Sequence, residues 1–167
     1  WSHNYNLSYD GISLTLDGKK VDTYTCQPEK SGSSMASIGV MCHEFGHNLG
    51  LPDFYDTDYG TGGQYDGTGY WDVMSSGSYN GSPQGAKPAH NNPWSKIFLG
   101  WVSPVTISTA QNITLKNVEQ NSSVYKYATT TTNEYFLVEN RQLIGFDAGL
   151  PGKGMMVYHV DGGYITS

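Results

Sequence analysis

Basic residues are scarce in this chain. Only 9 of 167 residues are Lys or Arg, against 15 Asp and Glu, and the net charge is −6. That balance argues against nucleic acid and against an anionic membrane surface as partners. It is compatible with bound cations. Long apolar runs are also missing, so no segment is suited to cross a bilayer as a helix, and no signal-peptide pattern is present. The chain opens at Trp1, so any targeting segment is expected to have been removed or to lie outside this sequence. Charged residues reach only 14%, while hydrophobic ones reach 37%, enough for a core and too many for a disordered chain. No internal repeat or low-complexity tract is evident. There are two cysteines, Cys26 and Cys42. A disulfide between them, favoured by an exported setting, would tie the segment near Cys26 to the stretch beyond Cys42; the alternative is two unpaired thiols, with Cys42 a small core residue.

Glycine and tyrosine are plentiful, at 21 and 13 residues, and point to β-structure and long turns. The length suits one domain, with room for two lobes.

The most informative stretch is His43-Glu44-Phe45-Gly46-His47-Asn48-Leu49-Gly50-Leu51-Pro52-Asp53, which reads HExxHxxGxxD. On a helix, His43 and His47 lie on one face, one turn apart, where two imidazoles can grip one zinc ion. Glu44 then stands beside the metal, where a general base is needed. Gly50 offers a stop and a sharp turn, which brings Asp53 back toward the ion as third ligand. Three protein ligands leave one position open, the arrangement of a catalytic rather than a structural zinc site. In that setting Glu44 accepts a proton as zinc-activated water attacks a peptide carbonyl, and delivers it to the departing amine.

Along the chain, Ile12 to Leu16 alternates as a short strand, Asp17-Gly18 marks a turn, and Lys20 to Cys26 reads as a second strand. That second strand is suited to form the rim of a cleft in which an extended peptide adds as another strand. A helix is expected over about 34–50, capped by Ser33 or Ser34. Ile38, Cys42, Phe45 and Leu49 form its single apolar stripe, the face expected to pack into the core. The loop from Leu51 to Gly69 holds Asp56, Asp58 and Asp66, hard oxygen donors suited to calcium; the alternative is that they make turns and face water. Trp71 to Gly77 places Met74 in a turn that reads as lying under the metal. Pro93 to Leu99 fits a short helix ended by Gly100 and anchored by Trp94, Ile97, Phe98 and Trp101. Beyond it, Val105–Ile107, Ile113–Lys116, Val124–Ala128, Glu134–Glu139 and Met155–Val160 read as strands of a small antiparallel sheet. Glu139 and Arg141 alternate on one strand face, fitting a structural salt bridge. Tyr79 is weighed as an oxyanion partner and better read as a packed or surface tyrosine; His90 and His159 are read as structural.

These residues resemble the M6 family of secreted bacterial metallopeptidases, the immune inhibitor A type, within the metzincin group of zincins. The resemblance rests on His43–Asp53 with its continuation Phe54-Tyr55-Asp56, on Gly69 to Ser78, and more weakly on Tyr135 to Arg141 and Gly154 to Asp161. It implies an α+β zincin catalytic domain, with a zinc helix, a mixed or antiparallel sheet and a β-rich C-terminal part. It implies a secreted, extracellular zinc endopeptidase acting on proteins or peptides, often calcium-stabilised and made with a propeptide. His43 and His47 carry over as zinc ligands and Glu44 as the acid/base. Asp53 takes the third-ligand position, where His is commoner in metzincins, with Asp56 as the fallback. Only 42 residues precede His43, so the chain is expected to be part of a larger protease with additional domains. The expected division is a peptidase core over 1–101 and a β-rich subdomain over 102–167. The competing function is a non-catalytic, metal-stabilised binding or adhesin module; the presence of Glu44 speaks against it, because a structural zinc site needs no general base.

Overall fold

The computed structural model describes residues 2–58, 60 and 62–163. Its N-terminal part is a set of small hairpins. Strand β1 (His3–Asn6) pairs antiparallel with β4 (Thr23–Cys26), and between them β2 (Leu14–Leu16) pairs with β3 (Lys19–Val21). Asp17 and Gly18 both take positive φ, 49° and 73°, which matches the twist of a two-residue hairpin turn. The strand expected over Lys20–Cys26 is therefore two strands. It breaks at Asp22, whose carboxylate turns to Lys20 and to the backbone N–H of Ser8.

A two-residue hairpin comes next, β5 (Lys30–Ser31) against β6 (Ser34–Met35), turning at Gly32. It takes up residues 34 and 35, so helix α1 (Ile38–Asn48) starts later than the sequence pattern indicates. Ser37 holds the extended N-cap backbone, with no side-chain capping bond. The helix ends in a Schellman turn: Gly50 N–H bonds to His47 O at 2.9 Å and Leu51 N–H to Gly46 O at 3.1 Å, with Gly50 at φ 91°. Its buried residues are Gly39, His43 and Gly46. Ile38, Phe45 and Leu49 are 42%, 55% and 38% exposed, so the apolar stripe faces outward, against expectation. The glycines explain the inversion. A Cβ at Gly39 would overlap the Ser78 carbonyl oxygen, so this side of α1 meets the loops beyond it backbone to backbone.

Helix α2 (Pro93–Phe98) starts with Pro at its first turn, and the Asn92 side chain caps Ser95 N–H at 2.9 Å. Trp94 and Ile97 pack inward, while Phe98 and Trp101 are more than half exposed. The remaining strands are β7 (Val105–Ile107), β8 (Tyr125–Ala128), β9 (Glu134–Arg141) and β10 (Gly154–Asp161), in the order β10-β9-β8-β7. The sheet is mixed, because β7 runs parallel to β8 through a long crossover. Ile113–Lys116 joins no ladder; only Asn117 bridges to Asn140.

Two apolar clusters share Trp94. One gathers Leu51, Val73 and Met74 below α1; the other gathers Val124, Leu137 and Val160 under the sheet. No helix among the described residues is long and apolar enough to cross a membrane.

Candidate metal centre

The helical spacing sets His43 and His47 edge to face, with ring centroids 4.8 Å apart and their Nε2 atoms 3.2 Å apart. Each ring is fixed from behind by a backbone carbonyl: His43 Nδ1 lies 2.8 Å from Val73 O, and His47 Nδ1 2.8 Å from Leu51 O. A carbonyl can only accept, so both Nδ1 atoms carry the proton and both Nε2 atoms present lone pairs. The Schellman turn then returns the chain. Asp53 Oδ1 comes to 3.1 Å from His43 Nε2 and 3.3 Å from His47 Nε2.

Three lone-pair atoms thus converge on one point. Asp53 Oδ1 is buried and accepts no hydrogen bond of good geometry. A buried carboxylate oxygen left so is costly unless a cation takes its place. The triangle of 3.1–3.3 Å edges matches the ligand–ligand edge, about 3.3 Å, of a tetrahedron with zinc bonds of ~2.0–2.1 Å. Two imidazoles and one carboxylate are also an ordinary zinc donor set. The residues fit the ion. Without a metal, the triad competes for protons. Burial works against the cationic form of His43, but the nearby Asp53 carboxylate and the Val73 carbonyl outweigh it, and its pKa is raised. His47 is raised mainly by its Asp53 partner. Burial pushes Asp53 up, but the two imidazoles outweigh it and hold the carboxyl well below its ordinary range.

Met74 is fully buried and follows Val73, whose carbonyl holds His43. A Cβ at Gly46 would overlap the Met74 sulfur and stand 3.0 Å from its Cε, so the second helix glycine makes room for the methionine. Asp72, also fully buried, holds the turn from within: Oδ1 accepts Met74 N–H at 3.0 Å, and Oδ2 accepts Asn92 Nδ2. Burial raises its pKa against those hydrogen bonds. Phe54 N–H bonds to Met74 O at 2.9 Å, tying the Asp53 segment to the same turn.

Glu44 is half-buried and borders two cavities, of about 530 and 660 Å³. Both are also lined by Ser2, His43 and Tyr55, so the two arms adjoin beside His43, and the larger also reaches His47 and Asp53. Tyr79 lines the smaller arm, and β1 with Thr23 of β4 lines the larger. The strand beside the groove is therefore β1 more than the stretch expected to form the rim. Tyr55 had no signal of its own in the sequence. Its ring stacks on His43 at 6.4 Å, a position set by lying two residues past Asp53. His159 pairs with Glu134 at 3.5 Å on an exposed strand, and His90 lines a separate cavity together with Ile38 and Cys42.

For two of the alternatives raised by the sequence, the described residues show the plainer arrangement. Among the described residues, His43, His47 and Asp53 are the one group of three such side chains placed to hold a metal, and Asp56, Asp58 and Asp66 form no calcium cluster. Asp56 and Asp58 are spent on local turns, accepting the backbone N–H of Asp58 and Gly60. Cys26 and Cys42 are free and exposed. Cys42 opens toward Val73 and Ala89, whereas the loop after β4 meets α1 at Val40 and Met41, on another side of the helix.

The chain is 41% identical over 115 residues to the pre-pro-metalloprotease PrtV of two strains of Vibrio cholerae serotype O1, a match covering 59% of this chain and 11% of theirs. It is 35% identical over 108 residues to immune inhibitor A of Bacillus thuringiensis subsp. alesti, covering 59% of this chain and 15% of the relative. The chain thus corresponds to a small part of these much longer proteins. Residues 1–102 match the family described as immune inhibitor A peptidase M6, catalytic domain, a region that contains the His43–His47–Asp53 triangle, Glu44 and the Met74 turn. On that match, the chain belongs to the M6 peptidase family.

Proposed function

We propose that this chain carries the catalytic centre of a zinc-dependent endopeptidase with a metzincin-like arrangement, acting on protein or peptide substrates outside a bacterial cell. The observation that carries this reading is the convergence of His43 Nε2, His47 Nε2 and Asp53 Oδ1 within 3.3 Å of one another, with Glu44 alongside. Zinc held there supplies Lewis acidity toward a carbonyl and lowers the pKa of water from about 15.7 toward about 7. The carbonyls of Val73 and Leu51 keep the two Nε2 atoms free to ligate. Glu44 takes the proton from the attacking water and returns it to the amine as the peptide C–N bond breaks. Glu44 lines both adjoining cavities, which leaves room for a substrate chain longer than the scissile peptide itself. Tyr55, against His43 and shared by both arms, stands where the substrate chain would cross. Met74 supports the ligands from below. The name of the Vibrio relative, a pre-pro-metalloprotease, supports export and a propeptide, and the length of the relatives supports additional domains.

The test is zinc content and casein cleavage for this chain, for a longer form of the protein, and for Glu44→Ala in each. Glu44→Ala is expected to keep zinc and to lose activity by roughly 10²–10⁴-fold, the range of a general acid/base contribution. A longer wild-type protein that binds zinc yet cleaves no faster than its Glu44→Ala variant refutes the peptidase reading.

A further inference from the structure

A side chain of the sheet reaches the turn that carries Met74. Arg141, the last residue of β9, is fully buried, as are Glu139 and Asp147. Its Nε and Nη2 grip the two oxygens of Asp147 at 2.7 and 2.9 Å. Its Nη1 donates to Glu139 Oε1 at 3.1 Å, and Lys96 Nζ meets the other Glu139 oxygen at 2.7 Å. Two cations and two anions balance here, so charge pairing is complete within the cluster. Arg141 Nη1 nevertheless makes one more bond, at 3.0 Å, to the carbonyl of Trp71. That bond neutralises nothing. It fixes the peptide that enters Asp72-Val73-Met74.

The three residues after Trp71 support the metal ligands. Asp72 holds Met74 N–H, Val73 O receives His43 Nδ1–H, and Met74 packs at Gly46. We propose that Arg141 is a positioning residue for the metal centre. By holding the Trp71 carbonyl it sets the Val73 carbonyl that orients His43. Arg141 lies beyond residues 1–102, the part matched by the catalytic-domain family, so the sheet completes the centre rather than merely adjoining it. The inference rests on the metal reading above for one of its readouts, zinc affinity. His47 is oriented by Leu51 O, which Arg141 does not touch, and so supplies an internal control.

The test uses the full chain carrying R141M/D147L, which removes one charge of each sign and leaves the Lys96–Glu139 pair intact, and separately R141K, which keeps the charge and loses the fork. Folding is checked by circular dichroism. In the folded variants the zinc dissociation constant is expected to rise roughly tenfold, the lower end of what loss of ligand-orienting partners costs. The His43 Nδ1–H proton resonance is expected to shift or broaden while that of His47 stays in place. A folded variant with zinc affinity within twofold of wild type and an unmoved His43 resonance overturns the proposal, as does equal movement of both histidines. If neither variant folds, wild-type hydrogen exchange decides. Zinc must then slow exchange of Arg141 Nε–H by the reciprocity of linked equilibria, and unchanged exchange overturns the proposal. Wild-type protein that binds no zinc refutes the metal reading alone; the metal-free His43 and His47 resonances of the variants then decide for or against Arg141.

Discussion

Replacing Gly46 by Ala sets two effects of known sign against each other. In a helix interior Ala is favoured over Gly by about 1 kcal/mol, so on helix propensity alone G46A stabilises the protein. The new methyl group, however, overlaps the Met74 sulfur, and Met74 is fully buried, with Leu51 Cδ1 only 3.7 Å from the same position. Met74 has no solvent to move into, so the overlap must be relieved by strain or a shift of α1. Overpacking of this kind costs ~1–3 kcal/mol. The net expectation for G46A is a loss of roughly 0–2 kcal/mol. Met74→Ala by itself opens a cavity and costs about 2–5 kcal/mol. In that background the overlap is gone, so G46A gains up to about 1 kcal/mol. The coupling energy, ~1–3 kcal/mol, exceeds the scatter of about 0.3–0.5 kcal/mol expected for independent sites. The assay is urea unfolding of the four proteins of the cycle in excess chelator, so that zinc binding adds no stability of its own. A G46A that stabilises equally in both backgrounds refutes the account of why this helix carries a glycine beside Met74.

Two further outcomes are expected. In chelator-treated protein the triad stabilises the fold only while Asp53 is ionised and a proton sits on the imidazoles. The His contributions are present below the ordinary value of 6.5 and are lost as pH rises through their raised folded values; the Asp53 contribution is present above 3.8 and is lost as pH falls through its depressed value. The urea midpoint relative to Asp53→Asn should therefore be highest between those two ordinary values and fall on the alkaline side, while zinc affinity rises with pH because its ligands must be deprotonated; a difference that stays flat into the alkaline range contradicts the assignment. Asp53→Ala should lose zinc while Asp56→Ala, whose carboxylate serves a local turn, should keep it; equal retention in both would remove Asp53 from the ligand set.

Local features were the ones legible in the sequence. The grouping of His43 and His47 comes from helical spacing, and the return of Asp53 from a glycine that can take φ 91°. Helix α2 is announced by Pro93 at its start and Gly100 past its end, both local signals. Where two pieces of chain compete for the same residues, local signals fell short. Ser34 is an acceptable helix cap, but its pairing with Ser31 across a tight turn takes it out of the helix. Asp22 splits a run that reads as one strand, because its carboxylate reaches Lys20 and Ser8. Asp56 and Asp58 look like cation ligands by type, and each instead closes a turn two residues on. The Glu139–Arg141 pair was readable from alternation along a strand. Its reach to Trp71, 70 positions away in the sequence, was not.

The inverted face of α1 has the same origin, carried to the site itself. Hydrophobic periodicity identifies a buried helix face only when burial is driven by apolar side chains. Here the inward face must bring two imidazoles to Asp53 and leave space for a methionine and a neighbouring backbone. Side chains that meet those demands are His and Gly, which score as neutral or polar. The residues most strongly apolar, Ile38, Phe45 and Leu49, are left on the opposite side. Reading the stripe as the core face therefore points away from the His43–His47–Asp53 group, whereas Gly39, His43 and Gly46, four and three residues apart in turn, mark the face that is buried. In a helix that carries metal ligands, the spacing of glycines relative to those ligands is the better guide to which side is inside, because each glycine records a close approach that no larger residue permits.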